Sequence, residues 1–226
     1  LKIISTDMPL GINYSAGISA QLKSAVILAG LNSYGNTKII EKAISRDHTE
    51  NLLKKNTKAI NIKYGKEKII EVYGKKNLEQ IRLNVAGDPS SAAFFTALTL
   101  LNKNSFLKIK NVGLNPTRIG YYKLLKNHKA KIKFINVKKD NNEFKGDILI
   151  KSCKLKPIFS PTNFYTSTAD EFPILFVLAG LTKGISVFKG ISDLMNKESN
   201  RIKEMQKVLK QVGIKTISSK NDLKIY

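Results

Sequence analysis

The sequence predicts an α/β fold in two domains, assembled from repeated βαβαββ units whose sheets are covered by helices. Three observations predict it. One order of helix-like and strand-like runs recurs three times along the 226 residues. Each recurrence places a single arginine in a polar turn, in a chain that uses lysine almost everywhere else. After the first recurrence, Val85-Ala86-Gly87-Asp88-Pro89 breaks the strand pattern and restarts a helix.

Each unit holds an apolar helix-like run, at Leu22–Leu31, Ser91–Leu101 and Phe172–Leu181. A strand-like run follows, at Thr37–Ile40, Phe106–Val112 and Ile185–Phe188. The polar turns then read Ser45-Arg46-Asp47-His48, Asn115-Pro116-Thr117-Arg118 and Lys197-Glu198-Ser199-Asn200-Arg201, each followed by an amphipathic stretch. Strand-like pairs close the units: Ala59–Tyr64 with Lys68–Tyr73, Lys131–Val137 with Asp147–Lys151, and Ile214–Ser218 with Leu223–Tyr226. A further strand-like run, Ile81–Val85, contains Arg82.

The break gives the expected domains. Residues 1–86 hold a little more than one unit, residues 87–226 hold two, and the hinge falls near 85–89. Gly87-Asp88-Pro89-Ser90-Ser91 reads as a helix entry. Asp88 can accept from free N–H groups of the first turn, and Pro89 sits where no donor is needed. Gly87 supplies a flexible joint. The Gly-Lys-Ser/Thr ending of a phosphate-gripping loop is absent.

A formal charge of +22 raises a nucleic-acid reading. The distribution favours another. The basic residues are 35 Lys and 4 Arg, and the lysines spread over the whole chain, alternating with Ile, Val and Phe. Solvated lysine faces are expected, with no nucleic-acid partner, and their field draws in small phosphorylated substrates. No apolar run reaches the roughly 18 residues of a membrane helix, so no membrane association is expected. The one cysteine, Cys153, excludes an internal disulfide, fits a reducing compartment and is expected to pack in a strand. His48 and His128 are isolated, and no spacing suggests a metal site. The chain opens on Leu1 rather than Met, so its start is expected to be missing.

Arg46, Arg118 and Arg201 recur at intervals of 72 and 83 residues. A guanidinium binds carboxylate or phosphate through a planar fork that an ammonium cannot copy. Anion sites and structural ion pairs both fit this recurrence. Ser19-Ala20-Gln21 precedes the first apolar helix. Ser19 can cap that helix or bind a phosphate there, and the Gln21 amide can both donate and accept. Asp170-Glu171 precedes the third apolar helix, where a carboxylate can cap the helix or, held ionised by the helix dipole, take up a proton. Lys197-Glu198-Ser199-Asn200-Arg201 is the densest group. On a helix, Lys197 and Arg201 share a face. Two cations there suit a doubly anionic ligand, with Glu198 beside them for proton transfer. The alternative is an exposed helix of mixed charge.

In this order and spacing, six segments resemble the 3-phosphoshikimate 1-carboxyvinyltransferase (EPSP synthase) family. They are Ser19-Ala20-Gln21-Leu22-Lys23-Ser24-Ala25, Ser45-Arg46-Asp47-His48-Thr49-Glu50, Gly87-Asp88-Pro89-Ser90-Ser91-Ala92-Ala93-Phe94-Phe95, Asn115-Pro116-Thr117-Arg118, Asp170-Glu171-Phe172-Pro173-Ile174 and Lys197-Glu198-Ser199-Asn200-Arg201-Ile202. The resemblance runs essentially the whole length of the chain. It implies a two-domain enolpyruvyl-transferase fold, an inside-out α/β barrel of three βαβαββ units per domain, here only partly present. It implies closure of the domains over shikimate 3-phosphate and phosphoenolpyruvate, no cofactor, a cytoplasmic location and a monomer.

By motif, the resemblance assigns Ser19, Ala20, Gln21, Arg46, Asp170 and Lys197 to shikimate 3-phosphate, and Gln21 and Arg201 to phosphoenolpyruvate. It makes Asp170, Lys197 and Glu198 the catalytic residues. Asp170 takes the proton of the attacking hydroxyl, and Glu198 supplies or removes the proton on the phosphoenolpyruvate methylene. Three positions depart from the family: Met195-Asn196 stands for Arg-Val, and Asn200 for Asp. The family's amino-terminal Lys-Ser-Arg cluster, its Gly-Asn-x-Gly loop and its carboxyl-terminal Asp-His-Arg and Lys elements do not occur in this sequence. The sister enzyme acting on UDP-N-acetylglucosamine uses a loop cysteine in its amino-terminal domain, and Cys153 is misplaced for that. A basic nucleic-acid module and a non-catalytic remnant are the other readings.

Overall fold

Two compact units make up the chain in the computed structural model: Leu1–Asn84 with Asp140–Glu143, and Val85–Lys139 with Phe144–Tyr226. Residues 2, 4, 6–56 and 58–226 are described.

The first unit runs β1 (Asn13–Ala16), α1 (Ala20–Asn32), β2 (Asn36–Glu41), α2 (His48–Leu53), β3 (Ile60–Tyr64) and β4 (Lys68–Tyr73). Its sheet has the order β1-β2-β4-β3. The β1–β2 pair is parallel, as a helical crossover requires, and the other pairs are antiparallel. In β2 every second residue, Thr37, Ile39 and Glu41, is buried, and in β4 Lys68, Ile70 and Val72 are. Helix α1 turns Lys23, Ile27 and Gly30 inward at helical spacing. The core is Ala16, Ile27, Ile39, Leu53, Ile60, Ile70 and Val72.

The second unit repeats the order twice. The first pass runs α3 (Pro89–Leu101), β5 (Phe106–Gly113), α4 (Gly120–Asn127), β6 (Lys131–Asp140) and β7 (Glu143–Lys151), with sheet order β5-β7-β6. Its opening strand is reduced to one parallel bridge, Gly87 to Val112. Gly87 donates to the Asn111 carbonyl at 2.7 Å and accepts from Gly113 N–H at 2.9 Å. The second pass runs β8 (Phe159–Ser160), α5 (Tyr165–Thr168), α6 (Phe172–Gly180), β9 (Ser186–Phe188), α7 (Arg201–Gln211), β10 (Thr216–Ser218) and β11 (Leu223–Ile225). Its sheet order, β10-β11-β9-β8, with parallel β8–β9 and antiparallel remaining pairs, matches the first unit. One core joins both passes, with Phe172, Phe176 and Phe188 packed edge-on or tilted at its centre.

Asp88 caps α3 by accepting from Ser90 and Ser91 N–H, and Pro89 opens the helix. Gly120 opens α4 where it meets α5. A Cβ there would lie 2.2 Å from the Ser167 and Thr168 hydroxyls, so only glycine allows the approach.

Four expectations are corrected. No strand forms over 76–86. The segment is irregular, with Leu83 and Val85 exposed and no burial to reward a ladder. Cys153 lies beyond the end of β7 and is half-buried against the core rather than within a strand. The lysines are not all on solvated faces, because Lys23, Lys68 and Lys145 are buried. Residues 197–200 precede α7 instead of belonging to it. Lys197 has extended backbone angles, so it does not share a helix face with Arg201.

Among the described residues no helix is long and apolar enough to cross a membrane. Helices α1 and α3 are apolar on more sides than their own units cover. They leave Leu22, Leu28, Phe94, Phe95 and Leu98 exposed.

Candidate active site

In the first unit, the start of α1 carries three of the predicted residues. Ser19 Oγ accepts from Leu22 N–H at 3.4 Å, a long capping bond that leaves its O–H proton for another acceptor. Ala20 is half-buried and Gln21 is exposed. One turn further in, Lys23 is fully buried. Its Nζ reaches Glu41 Oε1 at 2.9 Å, Glu50 Oε1 at 2.8 Å and the Arg46 carbonyl at 2.9 Å. Lys68 Nζ closes the group, 3.1 Å from Glu41 Oε2 and 2.7 Å from Glu50 Oε1. Ser45 adds its N–H at 2.9 Å and its hydroxyl at 2.6 Å to Glu41 Oε1. Two buried ammoniums and two buried carboxylates thus balance one another, the condition under which buried charge is tolerated.

Burial pushes the Glu41 carboxyl up, but hydrogen bonds from Ser45 and Lys23 outweigh it and hold the group below the usual range. Burial pushes Lys68 down, and the two glutamates outweigh that to leave it raised. The signs fix a pH window. A depressed carboxylate stabilises above its unfolded value near ~4.3 and ceases to as pH falls through its folded value. A raised lysine stabilises below ~10.4 and ceases to as pH rises through its folded value. Urea midpoints of the protein should therefore be flat across the neutral range and fall at both ends. In a charge-balanced Lys68→Met/Glu41→Gln variant, that share of the pH dependence should be lost.

In the second unit, Asp170, Glu198 and Arg201 come together from two segments of chain, while Lys197, next to Glu198 in sequence, turns its ammonium to Asp193. Arg201 opens α7. Its Nη1 lies 3.4 Å from Asp170 Oδ1 and from the Ala169 carbonyl, and its Nη2 lies 3.0 Å from Glu198 Oε2. A cation at a helix N-terminus opposes the dipole, and these acceptors offset it. Glu198 is exposed. Its own backbone N–H, then Arg201, hold its carboxyl below the usual range. Asn200 caps α7 by accepting from Lys203 N–H at 3.0 Å, so asparagine performs the capping that aspartate would. Met195 packs against the core.

Glu171, at the N-cap position of α6, makes no capping bond with its side chain. Glu171 instead turns inward to Arg118, whose Nη1 is 2.6 Å from Glu171 Oε1. Arg118 Nη2 donates to Ser90 Oγ and lies 3.4 Å from Asp88 Oδ1 and 3.5 Å from Asp170 Oδ2. Ser90 Oγ in turn donates to Glu171 Oε1. Of the two readings of the recurring arginines, the structural ion pair is what Arg118 makes. Asp170 lies between Arg118 and Arg201, reached by one oxygen each.

Lys197 Nζ pairs with Asp193 Oδ2 at 2.8 Å, and Tyr165 donates its hydroxyl to the same oxygen. Burial raises Asp193, but Lys197 and Tyr165 outweigh it and hold the carboxyl low. The sequence reading missed Asp193, Tyr165 and the buried quartet. For the quartet a signal existed: Glu41 and Lys68 continue the buried alternation of their strands, and Lys23 that of its helix. For Tyr165 and Asp193, 28 residues apart and meeting through a short 3₁₀ turn, there was none. No cluster of three or more His, Cys, Asp or Glu suited to a metal occurs among the described residues.

Residues 3–226 match the family model described as EPSP synthase (3-phosphoshikimate 1-carboxyvinyltransferase). The 3-phosphoshikimate 1-carboxyvinyltransferase of Zymomonas mobilis is 40% identical over 90% of this chain and 45% of its own length. That of Petrotoga mobilis is 43% identical over 92% and 48%. The EPSP synthase structure from Acinetobacter baumannii superposes with a TM-score of 0.83 at 35% identity, over 96% of this chain and 49% of that one. The enolpyruvyl transferase NikO of Streptomyces tendae shares the fold, with a TM-score of 0.65 at 13% identity. The chain spans about half the length of the curated relatives it matches, and it belongs to the EPSP synthase family.

Proposed function

We propose that the full-length protein containing this chain transfers the enolpyruvyl group of phosphoenolpyruvate to the 5-hydroxyl of shikimate 3-phosphate and releases phosphate. Family membership over residues 3–226 supports this reading. The observation that carries it is Arg201, placed between Asp170 and Glu198, with Lys197 adjacent to Glu198 in the chain and paired with Asp193. That grouping holds two carboxylates and two cations, the set needed to move protons while binding anionic substrates.

In this reading Ser19, Ala20, Gln21 and Arg46 bind shikimate 3-phosphate, and Gln21 and Arg201 bind phosphoenolpyruvate. Asp170 accepts the proton of the 5-hydroxyl as its oxygen bonds to the enol carbon. The neighbouring methylene gains a proton at the same stage. The bond from that carbon to the phosphate oxygen then breaks, phosphate leaves, and the new methyl gives up a proton to restore the double bond. Glu198 supplies or removes the proton on this carbon. Lys197 contacts shikimate 3-phosphate and the reaction centre, and Asp193 keeps a counter-charge beside it. We read residues 1–86 as the end of the first domain and 87–226 as two units of the second, in a two-domain enolpyruvyl-transferase fold, with the joint near 85–89. The exposed apolar faces of α1 and α3 fit a chain that packs against more of the same protein.

The isolated 226-residue chain is expected to show no measurable turnover, because the family's other substrate-binding clusters are not in it. Phosphate release from the two substrates should be seen with the full-length protein and not with this chain. Release by the chain alone would overturn the division of the site, and no release by the full-length protein would overturn the reading.

A further inference from the structure

We infer that Lys23 is a positioning residue for shikimate 3-phosphate, setting the distance between the Ser19–Gln21 helix start and the Arg46 turn through the buried quartet. The inference rests on the proposed binding roles of Ser19, Gln21 and Arg46. An ammonium has three donors, and Lys23 spends them on Glu41, Glu50 and the Arg46 carbonyl, at 2.9, 2.8 and 2.9 Å.

Those three bonds join separate parts of the first unit. Lys23 stands on α1 one turn after Ser19 and two residues after Gln21. Glu41 ends β2, and its Oε1 gathers the Ser45 N–H and hydroxyl together with Lys23. Glu50 comes from α2, which follows the turn. Ser24 and Thr49 add a second tie between α1 and α2, with hydroxyl oxygens 2.6 Å apart. The backbone of residues 45 and 46 is thus held from both sides of one ammonium. The arginine must project from that backbone. An ion pair kept only for stability would not need to grip the carbonyl of the one arginine in the turn. Lys68 supplies the second cation, reaching Glu41 Oε2 and Glu50 Oε1, so each carboxylate is gripped from two sides.

The test uses the full-length protein and three forms: wild type, the charge-balanced double variant Lys23→Met/Glu50→Gln, and Ser45→Ala. The double variant retains one lysine and one glutamate of the quartet, which limits the loss of stability. Ser45→Ala removes one hydrogen bond and no charge. Positioning predicts that KM for shikimate 3-phosphate rises about tenfold or more in the double variant and a few-fold in Ser45→Ala. KM for phosphoenolpyruvate should change less, because of the positioned residues only Gln21 is assigned to it. A folded double variant with an unchanged KM for shikimate 3-phosphate overturns the inference, because a merely structural quartet predicts that result. If the double variant does not fold, Ser45→Ala decides by the same criterion. A wild-type protein that fails to bind shikimate 3-phosphate overturns the functional reading itself, and the two failures are therefore distinct.

Discussion

Glu198→Gln in the full-length protein is expected to lower kcat by about 10² to 10⁴, with KM for shikimate 3-phosphate changed by no more than about threefold. The carboxylate is exposed, so the substitution removes no packing and should leave the unfolding midpoint in place. Glutamine keeps the shape and an acceptor for Arg201 but cannot take up a proton. Arg201→Lys would act differently. It keeps one charge but loses the fork that reaches two acceptors, so its effect should fall mainly on KM for phosphoenolpyruvate. Steady-state kinetics with each substrate varied in turn checks both. A Glu198→Gln protein that keeps more than about a tenth of kcat contradicts a proton-transfer role.

Arg118→Met is expected to cost about 3–5 kcal/mol of stability. Its partner Glu171 has a side chain only 1% exposed, and without the guanidinium it becomes an unpaired buried charge. The same arginine ties Ser90 at the start of α3 to Asp170, so the loss loosens two elements together. Arg118→Met/Glu171→Leu should recover most of the cost, because the double variant buries no orphan charge. Urea midpoints of the three proteins decide it. A single variant within about 1 kcal/mol of wild type would contradict the role given to this ion pair.

Much of the fold was legible because the repeat writes itself twice, in hydrophobic periodicity and in turn chemistry. Alternation in β2 and β4, continuous apolar stretches in α1, α3 and α6, and the Asp88–Pro89 entry each follow from local rules. The segment before α7 was not legible. Lys197 to Arg201 has helical spacing on paper. In the structure Asn200 caps the helix, so Arg201 is its first residue and Lys197 to Ser199 precede it, and a polar run carries no periodicity to mark that boundary. The partners of the arginines were also hidden. Arg118 and Glu171 are 53 residues apart, and only tertiary packing brings them within 2.6 Å. Burial of Lys23 ran against the general habit of lysine. It becomes intelligible once Glu41 and Glu50 are seen to meet it.

The most direct test of the account is to run the full-length protein with shikimate 3-phosphate and phosphoenolpyruvate in D₂O and to follow the products by mass spectrometry. The account predicts one phosphate released per condensed product, with solvent deuterium in the enolpyruvyl methylene, because that carbon gains and then loses a proton. A condensed product without deuterium, or hydrolysis of phosphoenolpyruvate to pyruvate alone, would contradict it.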